Sequence, residues 1–275
     1  MIRVAVVTGG TRGIGEAVSI ALRDIGFSVA ASYVGDVERA RAFTERTGID
    51  SFQWNVADYD ACHAAVDQIT ALLGAVDVLI NNAGRGMRLI SETFNTVPTK
   101  FWQADVAAWK EIIDVNVTGT FLMATAVVPH MEERGFGKVI NISTSDITMT
   151  RRCYTPYGPS KSAIEACSQA WSAELAETGV SVNVLLPAGA TDTDLLPPGP
   201  DKKGADGNLL RPEIMRAPAL WLCSDQFNEY TGRRFIARLH ARPTDARDPT
   251  LTNQRGPSRQ DREAGHSLIL VGVLN

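Results

Sequence analysis

The stretch "TGGTRGIGEA", residues Thr8–Ala17, joins the apolar run Ile2–Thr8 to an amphipathic segment. Glycine reaches backbone conformations that other residues avoid, so Gly9 lets the chain turn tightly at the end of a strand. Gly13 lets the backbone approach a diphosphate, and Gly15 lets the following helix pack closely on the strand. The free N–H groups at the start of such a helix bind phosphate. The stretch therefore predicts a strand, a tight turn and a helix that together bind a dinucleotide.

Short apolar runs alternate with amphipathic stretches from residue 2 to about residue 186. Continuous Val, Ile and Leu runs suit strands that are covered on both faces, as in a parallel sheet. The alternation predicts an α/β fold with a single Rossmann-type doubly wound parallel sheet and helices on both faces. The expected strands are Ile2–Thr8, Ser28–Tyr33, Val76–Asn82, Lys138–Ser143 and Val180–Leu186, with Ser51–Val56 as a weaker candidate. The expected helices span roughly 13–25, 36–47, 58–73, 105–133 and 156–178.

Two segments interrupt this rhythm, an insertion at 85–104 and a loop at 188–211 that is rich in Gly, Pro, Asp and Lys. Both follow the carboxyl ends of strands, where ligands bind in such folds, so we expect them to form a lid or a pocket wall. The domain is expected to cover residues 1–237. Residues 238–275 are charged and aperiodic, and we interpret them as a tail that is disordered at least in part.

Composition narrows the class of protein. The chain has 275 residues, 44% hydrophobic and 21% charged, with a net charge of −4, so electrostatics favours neither a nucleic-acid partner nor an anionic membrane surface. We expect no membrane span, because no stretch of about 20 apolar residues is apparent. The four cysteines are scattered without metal-ligand spacing. They indicate a cytoplasmic protein without a metal site.

Five motifs follow one another at the ends of expected elements: "TGGTRGIG", "NNAG", "NVTG", "NIST" and "YGPSK", beginning at residues 8, 81, 116, 141 and 157. In this order they resemble the short-chain dehydrogenase/reductase family in its Gly-x-x-x-Gly-x-Gly form, over residues 2 to about 237. The amino-terminal half is most similar to the β-ketoacyl and acetoacetyl-CoA reductase branch.

The resemblance implies a catalytic set. Tyr157 matches the family's catalytic tyrosine, Lys161 its lysine, and Asn116 the residue that maintains a proton relay through water. Thr144 stands where the family generally has serine, with Ser145 as the alternative if the loop shifts by one. A tyrosine poised near neutrality needs about 3 pKa units, or about 4 kcal/mol. One ammonium at about 5 Å supplies roughly 3 kcal/mol, so Lys161 is expected to lower the tyrosine pKa.

The resemblance also implies the residues that bind the cofactor. At the end of the second expected strand Tyr33 replaces the acid that prefers NAD, and Arg12 is placed to meet a 2′-phosphate. NADP(H) is therefore favoured over NAD(H), and Asp36 is interpreted as a helix cap. The remaining positions are Gly9, Thr11, Gly13, Ile14, Gly15, Asn55, Val56, Asn82, Ala83, Gly84, Pro187, Ala188, Gly189, Ala190 and Thr191, together with Tyr157 and Lys161. Ala188 replaces a glycine of the family, which suggests a different loop path.

The sequence thus predicts an NADP(H)-dependent oxidoreductase that moves a hydride between nicotinamide and a carbonyl or secondary alcohol. Two alternatives stay open: an NAD-dependent sugar or cyclic alcohol dehydrogenase, and a cofactor-binding sensor without catalysis. In this family the helices expected at 105–133 and 156–178 commonly pair across a two-fold axis, so we expect a homodimer or homotetramer.

Overall fold

The glycine-rich turn leads out of the centre of a parallel sheet in the computed structural model, which describes residues 2–199, 202–204 and 207–240. The strands are β1 Val4–Val7, β2 Ser28–Tyr33, β3 Asp50–Gln53, β4 Val76–Asn81, β5 Gly137–Ile142, β6 Val180–Leu186 and β7 Arg234–Ile236. They lie in the order β3-β2-β1-β4-β5-β6-β7, and all neighbours are parallel. The predicted Rossmann-type sheet is confirmed.

Helices cover both faces of this sheet. They are α1 Gly13–Asp24, α2 Val37–Thr47, α3 Tyr59–Leu73, α4 Val106–Ile113, α5 Gly119–Glu133, α6 Asp146–Met149, α7 Tyr157–Glu174, α8 Arg216–Cys223 and α9 Ala237–His240. The helix expected at 105–133 is interrupted by a π-helical turn at Asp114–Thr118. The short α6, α8 and α9 were not predicted. Pro218 lies inside α8 and hid its helical pattern.

The two faces of the central strand bury different cores. Val4 and Val6 pack into one cluster with side chains of α3 and α5, such as Met123. Ala5 and Val7 pack into a second cluster with side chains of α1, α2 and α8. Successive side chains of a strand point to opposite faces, so a strand covered on both sides must be apolar throughout. This explains why the strands were visible in the sequence as continuous apolar runs.

The helical run Val106–Glu133 is long and apolar enough to cross a membrane by length and composition alone. Half of its most apolar window is nevertheless buried inside the protein, with Val127 and Met131 in the core. A core helix passes the same test, and we describe α5 as one. The expectation that no apolar stretch of spanning length occurs was too strict for this helix.

The order of strands reverses between β1 and β4, so the carboxyl ends of these neighbours diverge and leave a crevice. A cleft of about 1560 Å³ opens there. The insertion at 85–104 and the loop at 188–211 both contribute to its walls, through residues such as Met87 and Leu195. The boundary expected at residue 237 falls within a helix, because α9 continues to His240. The rest of the expected tail, 241–275, lies outside the described residues.

Candidate active site

The cleft brings together nearly all the residues singled out from the sequence. Those that line it are Gly9, Thr11, Arg12, Gly13, Ile14, Tyr33, Asn55, Val56, Asn82, Ala83, Gly84, Thr144, Tyr157, Lys161, Pro187, Ala188, Gly189, Ala190 and Thr191. Two predicted residues, Gly15 and Asn116, lie behind its wall. Residues more than 100 positions apart in the chain therefore share one cavity.

The glycine-rich turn has the geometry that its sequence predicts. Gly9 and Gly13 take left-handed backbone angles, with φ of 61° and 54°. A Cβ at Gly15 would lie 2.2 Å from the Gly9 carbonyl oxygen, which no packing could accommodate. Only glycine at position 15 allows α1 to start this close to β1.

The start of α1 faces the cleft through Thr11, Gly13 and Ile14. Arg12 is the N-cap residue, and its guanidinium has no acceptor that could cap the helix N–H groups. The first N–H groups of a helix lack intrahelical partners, and the helix dipole attracts negative charge there. This end of the cleft therefore fits the diphosphate of a dinucleotide.

Asn82 braces the turn from the neighbouring strand. Its Nδ2 donates to the carbonyl oxygens of Thr8, at 2.9 Å, and Gly9, at 3.2 Å. The Thr8 hydroxyl accepts in return from the backbone N–H groups of Asn82 and Ala83, both at 2.9 Å. The "NNAG" motif thus holds the floor of the cleft, and Gly84 continues it toward Lys161.

The far end of the cleft is built by the end of β2 and the loop after β3. Tyr33, Asn55 and Val56 lie there, as the sequence predicted for the adenosine side. The Asp36 carboxylate accepts from the Arg39 N–H at 3.1 Å, so its predicted role as the cap of α2 is confirmed.

Tyr157 is the first residue of α7 and is half-buried in the cleft. Pro159 is the third residue of the helix, where its missing N–H costs no hydrogen bond. Burial raises the pKa of Tyr157 to about 12, while the nearby Thr144 side chain acts in the opposite direction. Ser145 caps α6 by accepting from the Thr148 N–H at 3.3 Å. Of the two candidate hydroxyls, Thr144 is therefore the one that faces the phenol.

Lys161 lies one helical turn beyond Tyr157 and is buried, with 6% of its surface exposed. Its ammonium donates to the Ile142 carbonyl oxygen at 2.8 Å. Burial lowers the pKa of Lys161 to about 8, and the Glu165 carboxylate partly offsets this. The expectation that Lys161 brings the tyrosine pKa down toward neutrality is not met in this geometry. Burial of the phenol outweighs the neighbouring effects, and the lysine is directed to a carbonyl.

Asn116 sits in the π-helical turn, a local widening that often marks functional positions. Its amide is buried and bonds the Arg85 backbone in both directions, at 2.7 and 3.1 Å, and donates to the Ser160 hydroxyl at 2.9 Å. Asn116 thereby ties the start of the insertion to α7 next to Lys161.

Arg234 was not among the residues that the sequence analysis selected. It comes from β7, its side chain is 8% exposed, and its Nη2 donates to the Thr144 carbonyl oxygen at 3.0 Å. The same guanidinium pairs with Glu165 at 2.9 Å and Asp146 at 3.2 Å. The Ser143 hydroxyl also donates to Glu165, at 2.7 Å. This network, which is largely buried except at Asp146, holds the Ser143–Asp146 segment against α7.

The loop after β6 has a left-handed backbone at the substituted position. Ala188 has a φ of 63°, the left-handed conformation that a glycine would take there. The loop is closed by pairing between Thr191 and Leu210, and Leu210 N–H donates to the Ala190 carbonyl at 2.8 Å. The alanine at 188 therefore carries local strain, and the different loop path expected for it stays a prediction.

The rim opposite the adenosine end is aromatic and basic. Tyr154 donates to Asn95 and accepts from Arg151, both at 3.0 Å, and Phe94 packs edge-on against its ring. Burial raises the pKa of Tyr154, so it is a neutral wall residue. Tyr154 was predicted to be a pocket residue; its partners Asn95 and Arg151 were not, because their positions depend on how the insertion folds.

A parallel sheet with a phosphate-binding turn at its switch point, and a tyrosine–lysine pair in the same cleft, define a dinucleotide-dependent oxidoreductase. Comparison with known proteins agrees: the short chain dehydrogenase family model matches residues 3–203. The chain belongs to the short-chain dehydrogenase/reductase family, whose members use nicotinamide cofactors on carbonyl or hydroxyl groups.

Similar curated proteins narrow the branch. An acetoacetyl-CoA reductase of Paracoccus denitrificans is 41% identical over 68% of this chain and 73% of its own length. An acetoacetyl-CoA reductase of Rhizobium meliloti is 35% identical over 86% of this chain and 97% of its own. A 3-oxoacyl-(acyl-carrier-protein) reductase of Staphylococcus aureus is 31% identical over 68% and 74%. The predicted resemblance to the ketoacyl and acetoacetyl-CoA reductase type is confirmed.

Proposed function

We propose that the protein is an NADP(H)-dependent reductase of small carbonyl compounds, with Tyr157 as the general acid. The observation that carries this proposal is that Tyr157, Thr144 and Lys161 meet in the cleft that also contains the phosphate-binding turn. A proton donor and a dinucleotide cradle in one cavity provide what a hydride transfer to a carbonyl requires.

The proposed roles follow from the chemistry of each side chain. A nicotinamide cofactor bound in this cleft would supply the hydride to the carbonyl carbon. Tyr157, whose high pKa keeps it protonated, gives its phenolic proton to the carbonyl oxygen. Thr144 holds and polarises that oxygen by a hydrogen bond from its hydroxyl. In the reverse direction Tyr157 takes the proton back from the alcohol.

Lys161 and Asn116 serve the proton and the cofactor. The Lys161 ammonium has donors for the ribose hydroxyls of the cofactor in addition to its bond to Ile142. Asn116 fixes the backbone of Arg85 beside the lysine and so keeps the end of the cleft in shape. We propose that this end carries the path by which Tyr157 is reprotonated.

The preference for NADP(H) is supported by Arg12 and Arg39, which both line the adenosine end of the cleft, while Tyr33 stands in place of an acid. A guanidinium binds phosphate bidentately, and two of them suit the 2′-phosphate. The names of the relatives indicate which carbonyl compounds to assay first, namely acetoacetyl-CoA and 3-oxoacyl thioesters.

A carbonyl panel assayed with NADPH and NADH tests this function. It should include acetoacetyl-CoA, a 3-oxoacyl thioester, simple ketones and cyclic ketones. We expect turnover with at least one carbonyl and a higher kcat/KM with NADPH. Cofactor binding without turnover on every compound would favour the non-catalytic sensor, and preference for NADH with sugars or cyclic alcohols would favour the dehydrogenase alternative.

A further inference from the structure

Two arginines at the adenosine end of the cleft share one carboxylate. Arg12 Nη1 lies 3.4 Å and Arg39 Nη1 2.8 Å from Oδ2 of Asp194. The three residues come from separate places: Arg12 is at the N-cap position of α1, Arg39 is in the first turn of α2, and Asp194 is in the loop after β6. The fold therefore brings an acid from the loop beside the nicotinamide end onto the cations at the opposite end.

Asp194 has no evident role in binding a substrate carbonyl, but its carboxylate, like a phosphate ester, is an anion that guanidinium groups bind. Ion pairs between half-exposed side chains are weak, and all three of these side chains are between 44% and 48% exposed. A dianionic phosphate that contacts both guanidiniums would displace such a carboxylate, because charge-assisted bidentate bonds are the stronger ones. A ligand that lacks this phosphate cannot form these bonds with the arginines and therefore does not displace the carboxylate.

We propose that Asp194 is an internal competitor for the 2′-phosphate of the cofactor and so determines how strongly the protein prefers NADP(H) over NAD(H). The inference rests on the proposed use of NADP(H). The carboxylate neutralises Arg12 and Arg39 when no phosphate is present, and the phosphate must displace it to bind.

The main chain at Asp194 does not have to move for this exchange. Arg88 of the insertion donates to the Asp194 carbonyl oxygen at 2.8 Å, and the Leu195 side chain lies close to Gly86. These contacts hold the loop while leaving the carboxylate free to rotate. Rotation of an exposed side chain is fast and cheap, so the competition acts on affinity and does not require the loop to open.

The test uses ligands that differ only in the 2′-phosphate: adenosine 2′,5′-bisphosphate and adenosine 5′-monophosphate. Their affinities are measured by calorimetry at low salt for the full chain and for Asp194→Asn. Removing the competing charge should strengthen binding of the bisphosphate roughly three- to tenfold, as expected for two exposed ion pairs, and leave the monophosphate unchanged. The measurement needs no turnover.

Asp192→Asn is the matched control. Asp192 lies in the same loop with similar exposure, but it pairs with Lys202 at 2.7 Å and not with the arginines. The control should leave the ratio of the two affinities unchanged. An equal gain in both variants would mean a general charge effect and would overturn the proposal, as would unchanged or weaker bisphosphate binding in Asp194→Asn.

Failure of the cofactor assignment gives a different result. If neither the unmodified chain nor Asp194→Asn binds the bisphosphate more tightly than the monophosphate, the arginines do not form a 2′-phosphate site, and the NADP(H) preference fails together with the inference. If discrimination is weak in the unmodified chain and appears in Asp194→Asn, the competitor role is supported.

Discussion

At the scale of single residues, the pKa values of the Tyr157 phenol and the Lys161 ammonium are displaced in opposite directions. Burial raises that of Tyr157 to about 12 and lowers that of Lys161 to about 8. The phenol is therefore protonated over the whole physiological range, which suits an acid in reduction. The lysine, in contrast, changes its charge near the upper end of that range.

The first prediction concerns the pH profile of kcat/KM for reduction, which reports the free enzyme. Lys161 is charged below its pKa and neutral above it, so the rate should be level below about pH 7 and fall as the pH rises through about 8. The Glu165 charge raises the lysine pKa, so Glu165→Gln should move the fall to lower pH. A profile that stays level to pH 10, or a shift to higher pH in the variant, would contradict this role for Lys161.

At the scale of elements, the Ser143–Asp146 segment after β5 is positioned by β7, the last strand along the chain. Arg234 on β7 and Thr144 are 90 residues apart, yet the guanidinium holds the Thr144 carbonyl and two acids around it. A buried charge of this kind is tolerated because it is paired with carboxylates and hydrogen-bonded to a carbonyl oxygen.

We expect Arg234→Lys to lower kcat by roughly tenfold or more while leaving the cofactor Kd unchanged, because a point charge cannot hold three partners in a fixed geometry. Arg134→Lys is the control: Arg134 also bonds a backbone carbonyl, that of Val76 at 2.6 Å, and pairs with Asp77, but it does so away from the cleft. The two variants are compared at equal thermal stability. Equal kcat values would show that Arg234 does not position the Thr144 segment for catalysis.

The loop after β6 carries a local strain that can be relieved. Ala188 is left-handed, with φ of 63°, and a left-handed conformation costs a non-glycine residue about 1–2 kcal/mol. Allowing for the larger unfolded-state entropy of glycine, Ala188→Gly should raise the free energy of unfolding by about 0.5–1 kcal/mol. Urea denaturation measures it.

Ala190→Gly is the control for that prediction. Ala190 lies in the same loop and is not among the described non-glycine residues with positive φ. Its replacement should lower the free energy of unfolding, because only the entropic cost of glycine applies. If both glycine variants were destabilised to the same extent, the strain at position 188 would not be real.

At the scale of the whole molecule, one face of α5 and α7 is left uncovered. Phe121 is 49% exposed, and beside it α7 presents the small exposed residues Ala166, Ala170 and Ala173. Trp171 lies between this face and the core, with its ring 6.5 Å from that of Phe121. A flat face of small and aromatic side chains suits packing against a second copy across a two-fold axis.

We therefore predict a homodimer or homotetramer in solution that Phe121→Glu converts to smaller species, because the charge would be buried without a partner. Light scattering at micromolar concentration measures it. Val37→Glu on α2, where Val37 is also 49% exposed, should leave the assembly size unchanged. A monomeric unmodified chain, or a Phe121→Glu variant of unchanged size, would show that this face is not an interface.

The sequence predicted the parts of the fold that depend on local pattern. Continuous apolar strands and a glycine-rich turn were sufficient to infer the parallel sheet and the position of the cleft, and Tyr157 and Lys161 were found by their motif. The Asp194 ion pairs could not be inferred, because their partners are 155 and 182 residues away. The pKa of Tyr157 was also beyond reach, since it depends on burial that only the folded chain defines.

The central claim is that Tyr157 gives the proton in a hydride-transfer reaction, and Tyr157→Phe tests it most directly. The ring keeps its packing and only the hydroxyl is removed, so the fold and cofactor Kd should be unchanged while kcat with NADPH falls by a factor of about 100 or more. Tyr154→Phe, made three residues earlier in the loop before α7, should retain most of the activity. Near-normal kcat in Tyr157→Phe, with a carbonyl that the unmodified protein reduces, would contradict the account.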